Sequence, residues 1–139
     1  MKKAFFLPLL IFLIALPLFA CQKNVKSPAK EKAKVTSISA QQLNDMLKNK
    51  DFTLINVHIP YAGEIPNTDV FIPFNEIEKN IGELPDDKNA KLVVYCRSGG
   101  MSASASKELL DLGYTQVYDV SGGMNAWKAA GYELLDNRK

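Results

Sequence analysis

The chain contains very little cysteine and histidine. Its 139 residues include two cysteines, Cys21 and Cys96, and a single histidine, His58. Two cysteines cannot build a disulfide framework or a four-thiolate metal site, and the absence of a C-x-x-C motif excludes a thioredoxin-type redox centre. The sequence therefore predicts no metal site and no cofactor.

An excess of positive charge is also absent from most of the chain. The formal net charge of +2 depends on lysines in the first 34 residues, and residues 35–139 are net acidic. Because nucleic-acid-binding domains carry a basic face, this composition disfavours a nucleic-acid partner. The apolar fraction of 47% suffices for one modest core, which predicts a single compact domain.

The chain has no hydrophobic run as long as a typical membrane span. Residues 4–19 are apolar, but they include two prolines and fall short of the roughly 20 residues that a spanning helix needs. Two lysines precede this run and the small residue Ala20 follows it. This pattern is typical of a signal peptide, which we assign to residues 1–20.

The segment Leu18-Phe19-Ala20-Cys21 resembles the bacterial lipobox, although Phe19 is bulkier than usual there. The resemblance implies that Cys21 becomes the lipidated N-terminus. The alternative is an ordinary secretory signal, and both interpretations predict export. Residues 21–34 are polar and rich in lysine, which predicts a flexible tether after the lipidated Cys21. We therefore expect a membrane-anchored lipoprotein that faces the periplasm or the cell exterior.

Strand and helix patterns alternate through residues 35–139. Runs with high strand propensity are Thr36–Ile38, Phe52–Val57, Val70–Ile72, Leu92–Tyr95 and Val117–Val120. Helical spacing is present in Ser39–Lys48, Ser102–Leu112 and Asn125–Ala130. Strands separated by helices predict an α/β fold, with a mainly parallel central sheet and helices on both faces. A ligand site is then expected beyond the carboxyl ends of the strands.

The loop that follows the strand Leu92–Tyr95 begins with Cys96 and continues to Met101. Its two glycines, Gly99 and Gly100, allow successive backbone N–H groups to turn inward and form an anion-binding nest beside the positive end of the next helix dipole. A thiolate at Cys96 would be stabilised there. The alternative is a buried, space-filling cysteine at an ordinary strand-to-helix turn.

Four stretches together resemble the single-domain rhodaneses: Leu54-Ile55-Asn56-Val57, Gly63-Glu64-Ile65-Pro66, Val94-Tyr95-Cys96-Arg97-Ser98-Gly99 and Val120-Ser121-Gly122-Gly123 with Trp127. The resemblance implies a rhodanese-like domain in residues 35–139 and a persulfide-carrying catalytic Cys96. It implies a small sulfur donor such as thiosulfate and a thiol or cyanide acceptor. The substrate-binding residues that it implies are Arg97, Ser98, Gly99, Gly100, Met101 and Ser102.

The chain departs from the family pattern near this loop. His58 stands where the family has arginine, Glu64 replaces a histidine, and Met101 occupies a position that is often arginine or another polar residue. These changes remove positive charge or polarity and disfavour thiosulfate, a dianion, more than they disfavour sulfur transfer. A phosphatase on this fold would need arginine at position 102, which is serine. A non-catalytic binding module and a protein-to-protein persulfide carrier at the membrane are the alternatives, and the sequence does not identify the protein partner that they would need.

Several residues near these motifs have structural interpretations. We expect His58 to make a structural hydrogen bond, and Asn56 and Glu64 to hold loops. Gly122 and Gly123 are expected to permit a tight turn and a close helix approach. The large side chain of Trp127 then packs its helix on the sheet.

Overall fold

A computed structural model describes residues 33–137 of the protein. This range contains five strands: β1 (Thr36–Ile38), β2 (Thr53–Asn56), β3 (Val70–Phe71), β4 (Lys91–Tyr95) and β5 (Gln116–Val120). It also contains α1 (Ala40–Leu47), a 3-10 helix (Glu78–Glu83), α2 (Gly100–Asp111) and α3 (Gly123–Ala129). The predicted signal peptide and all but the last two residues of the predicted tether lie outside the described residues. Between residues 33 and 137, no helix is long and apolar enough to cross a membrane.

The sheet has the strand order β1-β5-β4-β2-β3, and every neighbouring pair is parallel. This arrangement confirms the predicted mainly parallel sheet. Strand β4 lies at the centre, with Asn56 of β2 beside Tyr95 and Asp119 of β5 beside Val94. Cys96 therefore follows the carboxyl end of the central strand, where parallel sheets place their ligand sites.

Alternating side chains of β4 contribute to two separate cores. Leu92 and Val94 pack on one face of the sheet with Ala105 and Leu109 of α2. The intervening Val93 and Tyr95 pack on the opposite face, in a cluster that also contains residues of α1 and α3. Because both faces of β4 are covered, its sequence is a continuous apolar run rather than an alternation of apolar and polar residues. Helices on both faces confirm the predicted layers.

Helix α1 begins with a complete capping box. The Ser39 side chain accepts a hydrogen bond from the Gln42 backbone N–H at 3.1 Å, and the Gln42 side chain accepts one from the Ser39 N–H at 2.8 Å. These contacts satisfy two backbone donors at the helix start. The fully buried Leu43 then anchors the helix to the sheet.

Two helices begin earlier than the sequence pattern predicts. Helix α2 begins at Gly100 instead of Ser102, and α3 begins at Gly123 instead of Asn125. The residues that precede them, Gly99 and Gly122, have positive φ angles of 113° and 72° and make no side-chain cap. Glycine at these positions lets the chain turn directly from loop to helix without a capping side chain. The 3-10 helix Glu78–Glu83 has no counterpart among the predicted elements, since so short a helix leaves little periodicity.

Candidate active site

Cys96 lies at the junction of the central strand and its loop. It is 1% exposed and belongs to the apolar cluster on the α2 face of the sheet. Its sulfur nevertheless has a polar contact, because the backbone N–H of Gly99 donates to Cys96 Sγ at 3.0 Å. The positive φ of Gly99 accompanies this inward-directed N–H group, as the predicted nest requires, whereas Gly100 has no positive φ and begins α2.

The surroundings of the sulfur favour its ionised form. Burial raises the pKa of the Cys96 thiol, but the Ser102 side chain and the backbone N–H groups of Ser102, Gly99 and Ser98 together lower it by more. The resulting pKa lies below the ordinary value for cysteine. Since the thiolate is the nucleophilic form of cysteine, these surroundings favour the more reactive form of Cys96.

The start of α3 supports the loop that begins at Cys96. The backbone N–H of Met124 donates to the Cys96 carbonyl at 2.9 Å, and that of Asn125 donates to the Arg97 carbonyl at 3.0 Å. A Cβ atom on Gly123 would lie 2.0 Å from the Cys96 carbonyl oxygen. Only glycine permits this approach, which confirms the expected role of Gly123 and explains the Gly-Gly pair at this turn.

The remaining loop residues divide into exposed and buried groups. Arg97, Ser98 and Gly100 are exposed. Met101 is half-buried and packs against the cluster that contains Cys96. Ser102 is fully buried, and its hydroxyl donates to the Gly99 carbonyl at 3.2 Å. The six residues predicted to bind substrate therefore lie around one sulfur, but Ser102 lies inside the protein while the other five are exposed or half-buried.

Arg97 is the cationic side chain of the loop, and none of the ion pairs found within residues 33–137 involves it. Its charge affects His58: burial lowers the pKa of the His58 imidazole most, and the positive charge of Arg97 lowers it further. His58 is consequently neutral at neutral pH. The backbone N–H of His58 donates to the Asn56 side-chain oxygen at 3.1 Å. Because this bond belongs to the backbone, the structural hydrogen bond expected of the imidazole stays a prediction.

The turn at Gly63–Pro66 is held by one buried and one exposed side-chain hydrogen bond. The amide nitrogen of Asn56 donates to the Gly63 carbonyl at 3.1 Å, and the Glu64 carboxylate accepts a hydrogen bond from the Asn137 side chain. The backbone of Glu64 also forms an antiparallel bridge with Leu135, with two hydrogen bonds of 2.8 Å. Asn56 and Glu64 thus hold loops, as the sequence analysis predicts.

The expected anchor on α3 is confirmed. Trp127 is 3% exposed and packs in the core cluster on the α1 and α3 face of the sheet. Its indole N–H donates to the Glu133 carbonyl at 2.9 Å. This residue therefore fixes the helix whose first turn supports the Cys96 loop.

Asp119 on β5 is a polar residue that the sequence analysis did not select. Its Oδ1 atom is buried and has no hydrogen-bond partner among the described residues. Burial raises the pKa of this carboxyl, and the Ser102 hydroxyl acts in the opposite direction. The sequence offers one indication of this residue: an acidic side chain within an apolar strand, two positions after the buried Val117 and therefore on the same face of the strand.

These features define a class of protein. The cysteine follows the carboxyl end of the central strand of a parallel sheet, and backbone N–H groups around it stabilise its thiolate. Such a site is suited to nucleophilic sulfur chemistry with a charged intermediate. Neither the loop nor its neighbourhood contains a second cysteine in the described residues, so the arrangement does not provide a dithiol centre.

Comparison with known proteins agrees with this class. The rhodanese-like domain family matches residues 39–130, and the chain belongs to that family. A sulfurtransferase of Allochromatium vinosum is 30% identical over 105 residues, which cover 73% of this chain and 95% of that protein. A rhodanese-related protein of Thermoplasma volcanium has a crystal structure with a TM-score of 0.62 and 32% identity, covering 72% of this chain and 97% of that one.

Longer proteins also contain a similar domain. A tRNA uridine(34) hydroxylase of Synechocystis is 32% identical over 102 residues, which cover 68% of this chain and 36% of that protein. The chain therefore spans only about a third of that relative. The similarity extends through the rhodanese-like domain, and sulfur transfer is the role supported at the level of the family.

The contact between α3 and the loop generates a testable prediction. Gly123→Ala places a Cβ atom against the Cys96 carbonyl oxygen. Because this oxygen belongs to the backbone, it can give way only if the loop itself shifts. We expect a loss of about 3 kcal/mol in the free energy of unfolding and a slower alkylation of Cys96. Urea unfolding and iodoacetamide kinetics measure the two effects.

Gly131→Ala is the matched control for this substitution. Gly131 also has a positive φ, of 88°, but nothing lies within 4 Å of its added Cβ. Only backbone strain remains, so a loss of about 1 kcal/mol and unchanged alkylation are expected. Equal effects of the two substitutions would contradict the assigned role of Gly123.

Proposed function

We propose that the protein is a sulfurtransferase in which Cys96 carries the transferred sulfur as a persulfide. The thiolate attacks the sulfane sulfur of a donor such as thiosulfate. A sulfur–sulfur bond forms at Cys96, and the donor's own bond breaks with its electron pair, which leaves on sulfite. A thiol or cyanide acceptor then attacks the outer sulfur and regenerates the Cys96 thiolate. The polar contacts of the Cys96 sulfur carry this proposal.

The loop contributes more than ionisation of the thiol. A lower thiol pKa increases the thiolate fraction, but it also reduces the intrinsic nucleophilicity of the sulfur, so the net gain is small. The larger contributions come from fixed backbone N–H groups, which stabilise charge without reorganising, and from alignment of the donor with the sulfur. The hydrogen bonds from Met124 and Asn125 to the loop carbonyls supply the required rigidity.

The side chains around the loop favour a donor of low charge. Arg97 is exposed, the half-buried Met101 offers an anion no partner, and the buried His58 is neutral. A dianion such as thiosulfate therefore has one cationic side chain at the loop to bind. A neutral or protein-bound persulfide needs no such charge, and we infer that it is the better donor.

The first functional prediction concerns the sulfur carrier. Incubation with thiosulfate should add the mass of one sulfur atom to the protein, and cyanide should remove it. Cys96→Ser should not be loaded, whereas the matched control Cys21→Ser should be loaded like the wild type. Intact-mass spectrometry makes the comparison. Loading of Cys96→Ser at the wild-type level would show that the carrier has been assigned to the wrong residue.

Donor selection gives the next prediction. Arg97→Ala should lower kcat/KM for thiosulfate by about tenfold and leave a neutral persulfide donor nearly unaffected, because the lost cation attracts only the anion. Met101→Arg should raise kcat/KM for thiosulfate, most strongly at low ionic strength, where the new charge is least screened.

Lys107→Ala removes an exposed cation from α2 outside the loop and is the control. This substitution should leave kcat/KM unchanged for both donors. The assay compares the two donors at two salt concentrations. If Arg97→Ala impaired both donors equally and Met101→Arg gave no gain, charge at the loop would not select the donor.

We also propose that the protein acts at a membrane, held by lipid on Cys21. The support is the lipobox-like segment that ends at Cys21, after an apolar stretch with the pattern of a signal peptide. Two or more acyl chains provide stable anchoring, whereas one chain is marginal. Cys21→Ser should move the protein from the membrane to the soluble fraction on cell fractionation. Unmodified wild-type protein in the soluble exported fraction would contradict the anchor.

A further inference from the structure

Residues 135–137 form a short strap against the turn at residues 63–66. The backbones of Glu64 and Leu135 exchange two hydrogen bonds of 2.8 Å in an antiparallel bridge. Gly63 allows this close approach, since a Cβ atom there would lie 3.0 Å from the Leu135 carbonyl oxygen. The family match ends at residue 130, so the strap lies outside the matched part of the chain.

Asn137 extends the strap along the residues that precede the turn. Its backbone N–H donates to the Tyr61 hydroxyl at 3.1 Å, and its side-chain amide donates to the Glu64 carboxylate. The Tyr61 ring in turn packs edge-on against Phe71 at the end of β3, with ring centroids 5.7 Å apart. The carboxylate of Glu64, at a position where the family has histidine, therefore serves as the acceptor that orients Asn137.

Residues 58–63 form the connection between β2 and this turn, and the connection begins beside the Cys96 loop. The backbone N–H of Val57 donates to the Tyr95 carbonyl at 3.0 Å, so β2 and β4 are joined immediately before His58 and Cys96. Neighbouring strands are about 4.8 Å apart. The start of the connection is therefore adjacent to the loop, at the edge of the sheet where a parallel fold binds ligands.

The fully buried side chain of Asn56 holds both ends of the connection. Its amide nitrogen donates to the Gly63 carbonyl and its oxygen accepts from the His58 backbone N–H, both at 3.1 Å. The middle of the connection is held differently, because Tyr61 is half-buried and its two neighbours in sequence are exposed. The protein interior contributes little to holding this part, so the hydrogen bond from the strap to the Tyr61 hydroxyl carries more weight.

We propose that Asn137 and Glu64 are positioning residues, which hold the connection where it forms one wall of the donor site beside Cys96. The inference rests on the proposed function for its donor, whereas the position of the connection is a property of the folded protein alone. Release of the strap moves the connection away from the loop, and the donor loses one side of its site. Donor binding should weaken while the chemistry at the sulfur is preserved, because the N–H groups around Cys96 belong to the loop.

His58 reports the position of the connection without any donor. It is the single histidine of the chain, so its imidazole gives one assignable signal in nuclear magnetic resonance. Burial lowers the pKa of His58, and the positive charge of Arg97 lowers it further. When the connection moves outward, both effects weaken and the His58 pKa rises toward the ordinary value for histidine. The titration uses the full chain with no added histidines and with Cys21→Ser as the common background.

Two uncharged substitutions release the strap. Asn137→Ala removes the side-chain hydrogen bond to Glu64, and Tyr61→Phe removes the hydroxyl that accepts the Asn137 N–H but keeps the ring. Each should raise the His58 pKa and raise KM for thiosulfate by about threefold, and the two together by about tenfold, with kcat changed by less than about twofold. Neither substitution alters the charge of the protein, so a pKa shift at His58 reports a change of position.

Two control substitutions separate position from stability and from charge. Asn89→Ala removes another exposed asparagine, whose side chain accepts a hydrogen bond from the Thr115 hydroxyl at 3.0 Å just before β5 begins. This site lies at the opposite edge of the sheet from the loop, so the His58 pKa and KM should stay at their wild-type values. Glu64→Gln keeps an oxygen acceptor for Asn137 and should not raise KM, because the strap requires a hydrogen bond rather than a charge.

Three results would overturn the proposal: an unmoved His58 titration in the combined variant, an unchanged KM for thiosulfate, or a loss confined to kcat. If the combined variant does not fold, as judged by circular dichroism, the two single variants decide. Normal sulfur transfer with an unmoved His58 signal would contradict the strap alone. A wild-type protein that transfers no sulfur would contradict the proposed function, and the His58 titration would still decide whether the strap positions the connection.

Discussion

The site depends on one contact between two backbone segments. Helix α3 directs the N–H groups of its first turn at the carbonyls of Cys96 and Arg97, with hydrogen bonds of 2.9 and 3.0 Å. Gly123 makes this contact possible because any side chain at that position would collide with the Cys96 carbonyl. With its carbonyls fixed on one side, the loop can direct its own N–H groups to the other side, where the sulfur lies. Trp127 secures α3 and so maintains this arrangement.

Backbone dipoles therefore provide most of the polarity at the sulfur, and side chains have secondary roles. An N–H group fixed in a loop costs little reorganisation when charge develops, and it does not depend on pH. Arg97 is exposed and free of ion pairs within the described residues, and Met101 packs on the cluster that contains Cys96. Such a site can stabilise a thiolate or a persulfide without committing the protein to one anionic donor.

The sequence predicted the parts of the fold that depend on strong local patterns. The apolar strand before Cys96, the glycines after it and the Gly-Gly-x-x-x-Trp segment each have a physical meaning that is visible without coordinates. The sequence pattern predicts the starts of α2 and α3 two residues late because Gly100 and Gly123 are poor helix formers, and only the backbone geometry of the preceding glycines reveals the turn. Asp119 has no clear signal in the sequence because its place beside Val94 arises from the parallel pairing of β4 and β5, which brings together residues far apart in sequence.

The central claim is that the sulfur of Cys96 is held by backbone N–H groups of its loop. Nuclear magnetic resonance of the Gly99 amide tests this most directly, because that group donates to Cys96 Sγ at 3.0 Å. The account predicts that the Gly99 amide proton moves downfield as Cys96 ionises, over the same pH range in which the thiolate absorbance appears. A Gly99 amide signal that is unaffected while the thiolate forms would contradict it.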